Sequence, residues 1–397
     1  MPDQPLAVAD CAIDAVAACL DAAADLAETR TGRRPDVLLD PAHVAAAVRS
    51  EALLRDRAGN GIEGFAPLSR LWRAADGWVR THANYPWHRA ALLRALGDDV
   101  GTAIAARAAT EVERMVYEAG GLAVAARTTA AWRADGPLIR IDPTGGAVRP
   151  VPLDRVRVLD LTRVIAGPVG TRMLAALGAD VLRVDDPNRP ELPLHAVDGT
   201  IGKASTLLDG ATPDGRRTLD RLAGEADVIV TGYRPGAMRK LGLAPDQLAE
   251  RHPGKVVATL SAWGTGEIWG DRRGFDSLVQ VATGIGWACS ADGVRPGALP
   301  CQLLDHATGY LLAAGVLEAL AAGQGAHVSV SLARTARWLL DRPPGRAEEP
   351  FDPDAYRVDL GGGWTGIAPP GRLDGVPLRW PREPAYGAAP PEFTRPA

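Results

Sequence analysis

Cysteine is scarce in this chain. Only four occur in 397 residues, Cys11, Cys19, Cys289 and Cys301, and no two form a CxxC pair. That density is too low for a disulfide scaffold and the spacing offers no thiolate zinc site, so reduced thiols in a cytosol are the simplest reading. Histidine is sparse too, at seven residues. The His82/His88 pair has no cysteine or carboxylate companion at a metal-ligand spacing, so both read as surface or interface residues and no metal is expected. Neither HExxH nor a GxxxxGK[ST] phosphate loop occurs. Runs of one charge are missing and the formal net charge is only -4, which gives no basic face for nucleic acid. Long apolar runs are missing as well. Cys11 to Leu26 is Ala-rich and helical in pattern, but Asp14, Asp21 and Asp25 interrupt it. The opening Met1-Pro2-Asp3-Gln4 is acidic where a secretory signal is basic. These absences predict a cytoplasmic protein with no membrane or nucleic-acid partner.

What is present is an ordinary globular composition, 46% hydrophobic and 23% charged. At a prior of about 150 residues per domain, the length suggests two or three domains. Residues 1–60 read as an N-terminal helical segment broken at Thr31-Gly32-Arg33-Arg34-Pro35. Residues 61–135 read as a small α+β domain, with a strand at Gly77–His82, helices at about 88–96, 100–108 and 110–119, a Gly120-Gly121 stop and a strand at Leu122–Ala126. Residues 136–152, rich in Gly and Pro, read as a linker. Residues 341–397, with many Pro and Gly, read as an extended tail that wraps over another part of the assembly.

Between them, residues 153–340 carry a repeating pattern. The strand Val156–Leu161 runs through Arg163-Val164-Ile165-Ala166-Gly167-Pro168 into a helix closed by Gly178, followed by the strand Asp180–Asp185. Strand, turn, helix and strand within about thirty residues is a βαβ unit, whose parallel strands require a right-handed crossover. Further alternations up to Leu340 predict a doubly wound α/β sheet, which binds ligands at the carboxyl ends of its strands. The loops 162–168, 231–240 and 261–266 are therefore the ones expected to carry a site. The literal GxGxxG at Gly361, Gly363 and Gly366 is rejected as a nucleotide fingerprint, because Pro369-Pro370 stands where a helix would have to begin.

Asp305 stands just before a long apolar helical run in an otherwise uncharged stretch. It reads either as the N-cap of a helix from about His306 to Ala322 or as a nucleophile. His306 reads as a local acid or base, or as a packed helix residue. The turn at Val164 to Pro168 can offer backbone N–H groups to an adenine or phosphate. In the segment Thr231 to Gly242, Arg234, Arg239 and Lys240 can neutralise phosphates while Tyr233 stacks on a base. Tyr85, Trp87, Trp263 and Trp269 are candidates either to line an acyl pocket or to pack in a core.

Five segments, in order, resemble the family III CoA-transferases: Val158 to Pro168, Leu177 to Val184, Ala226 to Val230 with Arg234-Pro235-Gly236, Arg273-Gly274-Phe275-Asp276, and Leu304-Asp305. The resemblance implies a Rossmann-like large domain with a smaller α+β domain, assembled as an interlocked homodimer. It implies Asp305 as the nucleophile, with coenzyme A (as the acyl-CoA substrate) contacted by Val164, Ile165, Ala166, Gly232, Tyr233, Arg234, Lys240, Leu241 and Trp263. The substrates would be an acyl-CoA and a carboxylic acid. Backbone N–H groups of Gly284-Ile285-Gly286 are expected to hold the oxyanion. The segment matching the family's small domain precedes the sheet here instead of following it, as in a circular permutation. Ile165, Asp186, Gly202, Ala211 and Ser261 stand where better-known members carry polar coenzyme contacts. Two rivals remain: an acyl-CoA racemase or isomerase, whose usual base position is here Phe275, and a catalytically silent CoA-binding scaffold.

Overall fold

The long N-terminal helix α1 (Val8–Thr31) ends where Gly32 adopts a left-handed conformation (φ 77°) and donates its N–H to Glu28 O at 2.7 Å. The fold is seen in a computed structural model that describes residues 6–132, 134–264, 269–345 and 350–394. Alanines and small residues on one face of α1 (Ala12, Ala15, Cys19 and Ala23) are buried, so the helix lies close along a second helix nearly three hundred positions away. Arg30 seals the join by donating to Leu320 O at 2.9 Å.

A small antiparallel sheet follows, built from β1 (Leu71–Arg73), β2 (Trp78–Thr81) and β3 (Ala123–Ala125), with β2 central. Its helices include α2 (Pro86–Leu96), which has Pro86 at its first position, where the missing N–H costs nothing. Beyond it lies a seven-stranded sheet of β4 (Arg140–Ala147), β5 (Arg157–Leu161), β6 (Asp180–Asp185), β7 (Ala204–Leu207), β8 (Val228–Thr231), β9 (Val256–Ser261) and β10 (Gln324–Ser331). The spatial order is β4-β10-β9-β8-β5-β6-β7, parallel except for β4 against β10. After β4 at the edge, the chain enters the middle of the sheet at β5, winds outward through β6 and β7, and then returns through the helix α4 (Pro213–Glu225) to build β8, β9 and β10 on the other side of β5. The point of reversal lies between β5 and β8, and Val158 aligns with Val228 there.

Residues 140–147 are a strand, not linker. Pro143 and Gly145-Gly146 made the segment look irregular, but as β4 is an edge strand it needs hydrogen bonds on one side only, and the ladder is bulged next to Gln324. The GxGxxG segment turns between β11 (Arg357–Gly361) and β12 (Trp364–Ile367), an antiparallel pair with no helix at its end. The tail covers the molecule's own surface: the Gly387 and Ala389 N–H groups donate to Ser205 Oγ and O on β7, and Thr394 bonds Asp180. Among the described residues, no helix is long and apolar enough to cross a membrane.

Two helices position the site. The helix α3 (Ala166–Ala176) follows β5, and α6 (Leu303–Ala322) is buried nearly all round. They cross at glycines: a Cβ on Gly309 would sit 2.4 Å from Ala166 O, and one on Gly170 would sit 2.6 Å from Gly309 O. Only hydrogen fits at these two points. The close crossing fixes the first turn of α6 against the turn that follows β5.

Candidate active site

A cavity of about 700 Å³ opens at the carboxyl ends of β5, β6, β8 and β9, the side of such a sheet that ligands use. Asp305 lines it. The helix α6 begins at Leu303, so Asp305 occupies its first turn and is not the N-cap expected from the sequence. The cap comes from elsewhere. The helix α5 (Asp276–Ala282) presents the Asp276 carboxylate, whose Oδ2 accepts the Asp305 N–H at 3.1 Å. Gln280 donates to Asp276 Oδ1, and its own carbonyl accepts the Leu299 N–H at 2.9 Å. Sequence reasoning saw Asp276 only as part of a matching motif. A carboxylate that caps a helix from another element leaves no local signature.

Burial pushes the Asp305 carboxyl well above its ordinary range, and the negative charges of Asp276 and Glu51 push it the same way. Burial also raises Asp276, to about 6, against the opposing hydrogen bonds from Gln280 and the backbone. The favourable field of a helix N-terminus does not offset this desolvation. His306 turns away from the cavity. It is fully buried, with Nε2 at 2.7 Å from Glu51 Oε2, and ties α6 to the Ser50–Leu53 helix. Of its two readings, the packed one matches this geometry.

Among the coenzyme candidates, Val164, Ala166, Gly232, Tyr233, Arg234, Lys240 and Leu241 line the cavity, whereas Ile165 and Trp263 do not. Ile165 is buried in the core, and Trp263 packs edge-to-face on Trp269 while its Nε1 donates to Arg273 O at 3.2 Å. Tyr85 and Trp87 line the cavity, but Trp263 and Trp269 belong to an aromatic cluster with Trp132. Gly284-Ile285-Gly286 is not at the cavity, because Gly284 starts a short helix tight against the Thr128–Thr129 backbone. Of the loop expected at 261–266, residues 265 and 266 lie outside the described residues.

Val164 has φ 69°, an uncommon and strained conformation for a β-branched residue. Its N–H donates to Glu191 Oε2 at 3.2 Å. Glu191 also receives Arg163 (3.1 Å), Arg183 (3.1 Å) and the Tyr85 hydroxyl. Burial alone would raise the Glu191 carboxyl, but Arg163 and Arg183 outweigh it and hold it down to about 2. This buried anion joins the strained turn, the sheet and the segment leading into α2.

His82 and His88, read from the sequence as surface or interface residues, are buried. His82 stacks face-to-face on Phe275 with centroids 3.8 Å apart, and His88 stands edge-on to the same ring at 6.0 Å. Only His88 lines the cavity. Burial, then the charges of Arg273, Arg163 and Arg189, push its imidazole down to about 3, so it is neutral, and its Nδ1 has no partner among the described residues. Tyr85, Trp87 and Phe275 pack around His88, and Phe65 and Phe275 around His82. No group of three His, Cys, Asp or Glu side chains suited to a metal occurs among the described residues.

Comparison with known proteins bears on the half of the chain that carries this cavity. Residues 153–350 match the sequence model of CoA-transferase family III. This part of the chain belongs to that family. The chain is 37% identical over 191 residues to the "Probable fatty acyl-CoA transferase Rv3272" of Mycobacterium tuberculosis, covering 45% of this chain and 48% of that protein. It is 31% identical over 199 residues to a formyl-CoA:oxalate CoA-transferase of Rhodopseudomonas palustris, covering 45% of this chain and 46% of that one. A crystal structure of the Mycobacterium tuberculosis protein aligns over 49% of this chain and 57% of its own, with 35% identity and a TM-score of 0.44. The chain spans about half the length of the curated relatives it matches.

Proposed function

We propose that the protein moves coenzyme A between an acyl-CoA thioester and a carboxylic acid, with Asp305 as the nucleophile. The observation that carries this reading is the position of Asp305: a buried carboxylate lining a cavity that cations and apolar side chains also line. The strand order, with its reversal at β5 and β8, supports a Rossmann-like, doubly wound reading of the sheet.

In this mechanism an Asp305 oxygen bonds to the thioester carbonyl carbon, the C–S bond breaks, and CoA leaves as a thiolate. The thiolate attacks the aspartyl carbonyl of the resulting anhydride and releases the first carboxylate. A second carboxylate attacks the aspartyl thioester, forming a new anhydride and freeing the thiolate again. The thiolate then takes the new acyl group, and Asp305 is restored as a carboxylate. The thioester energy is conserved at each step only if water is excluded, which the burial of Asp305 favours. Asp276 holds the turn that carries Asp305, and Glu191 holds the facing turn. An interlocked homodimer forms part of this reading, and light scattering at working concentration tests it by the expected mass of two chains.

Incubation with an acyl-CoA panel, trapping with hydroxylamine or borohydride and peptide mass spectrometry tests the chemistry. Modification of Asp305, abolished in Asp305→Asn, is expected. No adduct on Asp305 across the panel would overturn transfer.

A second reading, proton transfer beside the thioester carbonyl, draws on one observation. Phe275 occupies the usual base position, yet two imidazoles pack on that ring and His88 reaches the cavity. Incorporation of deuterium at the α-carbon of a 2-methylacyl-CoA, lost in His88→Gln, would favour it over transfer.

A further inference from the structure

A second cavity, of about 590 Å³, shares no lining residue with the one at Asp305. It is lined by Trp132, Gly136 and Leu138 from the segment ahead of β4, and by Arg334 and Trp338 from the helix α7 (Leu332–Leu340). Its volume falls in the range of small-molecule sites. Two of these residues carry orphaned donors. Arg334 Nη1 and Trp132 Nε1 are both buried, and neither has a hydrogen-bond partner among the described residues. A buried donor left unpaired costs stability, and a bound acceptor recovers it.

The cavity has one cation left unbalanced. Arg337 Nε donates to Asp341 at 2.6 Å, and Asp135, which also lines the cavity, is exposed. Among the described residues, Arg334 has no carboxylate within salt-bridge distance. The backbone holds its guanidinium in place. Gly136 has φ 96°, and a Cβ there would lie 2.6 Å from Arg334 Nη1, so only glycine lets the chain pass so close. Trp132 is placed by its neighbours, with its ring centroid 5.2 Å from that of Trp263 and 5.0 Å from that of Trp269. Ala262 and Gly270, adjacent in the chain to those two tryptophans, line the Asp305 cavity, so the indole cluster connects the linings of the two.

We propose that this second cavity binds a small monocarboxylate with an apolar body, its carboxylate accepting from Arg334 and Trp132 and its body resting on Trp338 and Leu138. A guanidinium meets a planar carboxylate as a fork, and an indole N–H can only donate, so both groups call for an acceptor. One unbalanced cation matches one negative charge. A phosphate or a dicarboxylate would bring a second charge that no free cation there meets. The proposal is independent of the coenzyme A reading, because the site uses no residue that lines the Asp305 cavity.

The test is calorimetric titration of the full chain with phenylacetate, neutral phenylacetamide and doubly charged phenylmalonate. Phenylacetate is expected to saturate, phenylacetamide to bind at least about tenfold more weakly, and phenylmalonate to bind more weakly than phenylacetate. Arg334→Gln should weaken phenylacetate at least about tenfold, and Trp132→Phe, which keeps a ring and removes the donor, about threefold or more. Arg334 gives up no side-chain bond, so Arg334→Gln should melt no lower than the parent, which separates loss of a ligand contact from damage to the fold. If it does melt lower, the Trp132→Phe affinity decides, and unweakened binding there overturns the site. No saturable binding of phenylacetate, equal binding of phenylacetamide, tighter binding of phenylmalonate, or undiminished binding by Arg334→Gln overturns the proposal.

Discussion

At the scale of single residues, Asp305 sets the behaviour most open to measurement. In the proposed transfer it must be ionised to attack, yet burial, Asp276 and Glu51 favour its protonated form. The rate of adduct formation should therefore rise with pH through a limb lying well above the ordinary Asp value of 3.8. Asp276→Asn removes the nearest negative charge while keeping an oxygen for the helix cap, and the limb should move to lower pH in a stopped-time trapping series. The same groups bear on stability. A carboxyl whose folded pKa exceeds its unfolded one binds its proton more tightly when folded. Its contribution is full below the unfolded value and is lost as pH rises through the folded one, for Asp276 between about 4 and 6. Asp305→Asn should accordingly be more stable than the parent at pH 7, on the order of 1 kcal/mol, with the gain shrinking at pH 4 in denaturant titrations. Asp305 could be picked out from sequence because a lone carboxylate before an apolar run is conspicuous. His88 could not, since nothing near it in sequence announces that Phe275, nearly two hundred residues on, will bury it.

At the scale of elements, most strands and helices of the large sheet were legible, because a buried parallel strand is a run of Val, Ile and Leu between glycines. The strand β4 was not, since Pro and Gly are tolerated only where one side of the strand is unpaired. The crossing of α3 and α6 was also hidden: Gly170 and Gly309 look like ordinary helix glycines until the two backbones meet. Gly309→Ala should cost about 1–3 kcal/mol and displace Asp305 from the turn after β5. Thermal unfolding would register the first effect, and a fall in the trapping rate the second. Glu191→Ala takes the shared partner from the part-buried Arg163 and from the buried Arg183, which keeps Asp185, for an expected loss of about 2–4 kcal/mol by chemical denaturation. Both substitutions lie outside the loops that sequence reasoning marked, because they act by holding those loops in place.

At the scale of the whole molecule, the tail is expected to matter more than its composition suggests. It bonds to the exposed edge of β7 through Gly387 and Ala389. A chain ending at Tyr386 should uncover that edge and associate through it, visible as larger species in size-exclusion chromatography and a lower melting temperature. The order of the chain has a further effect during synthesis. Arg30 of α1 finds its acceptor, Leu320, 290 residues later. At about 5–20 residues per second, the first helix leaves the ribosome tens of seconds before the surface it covers exists. Through that interval its small-residue face, with Cys11 and Cys19, stays open to chaperones and oxidants, so the nascent polypeptide is exposed there long before Asp305 has been translated.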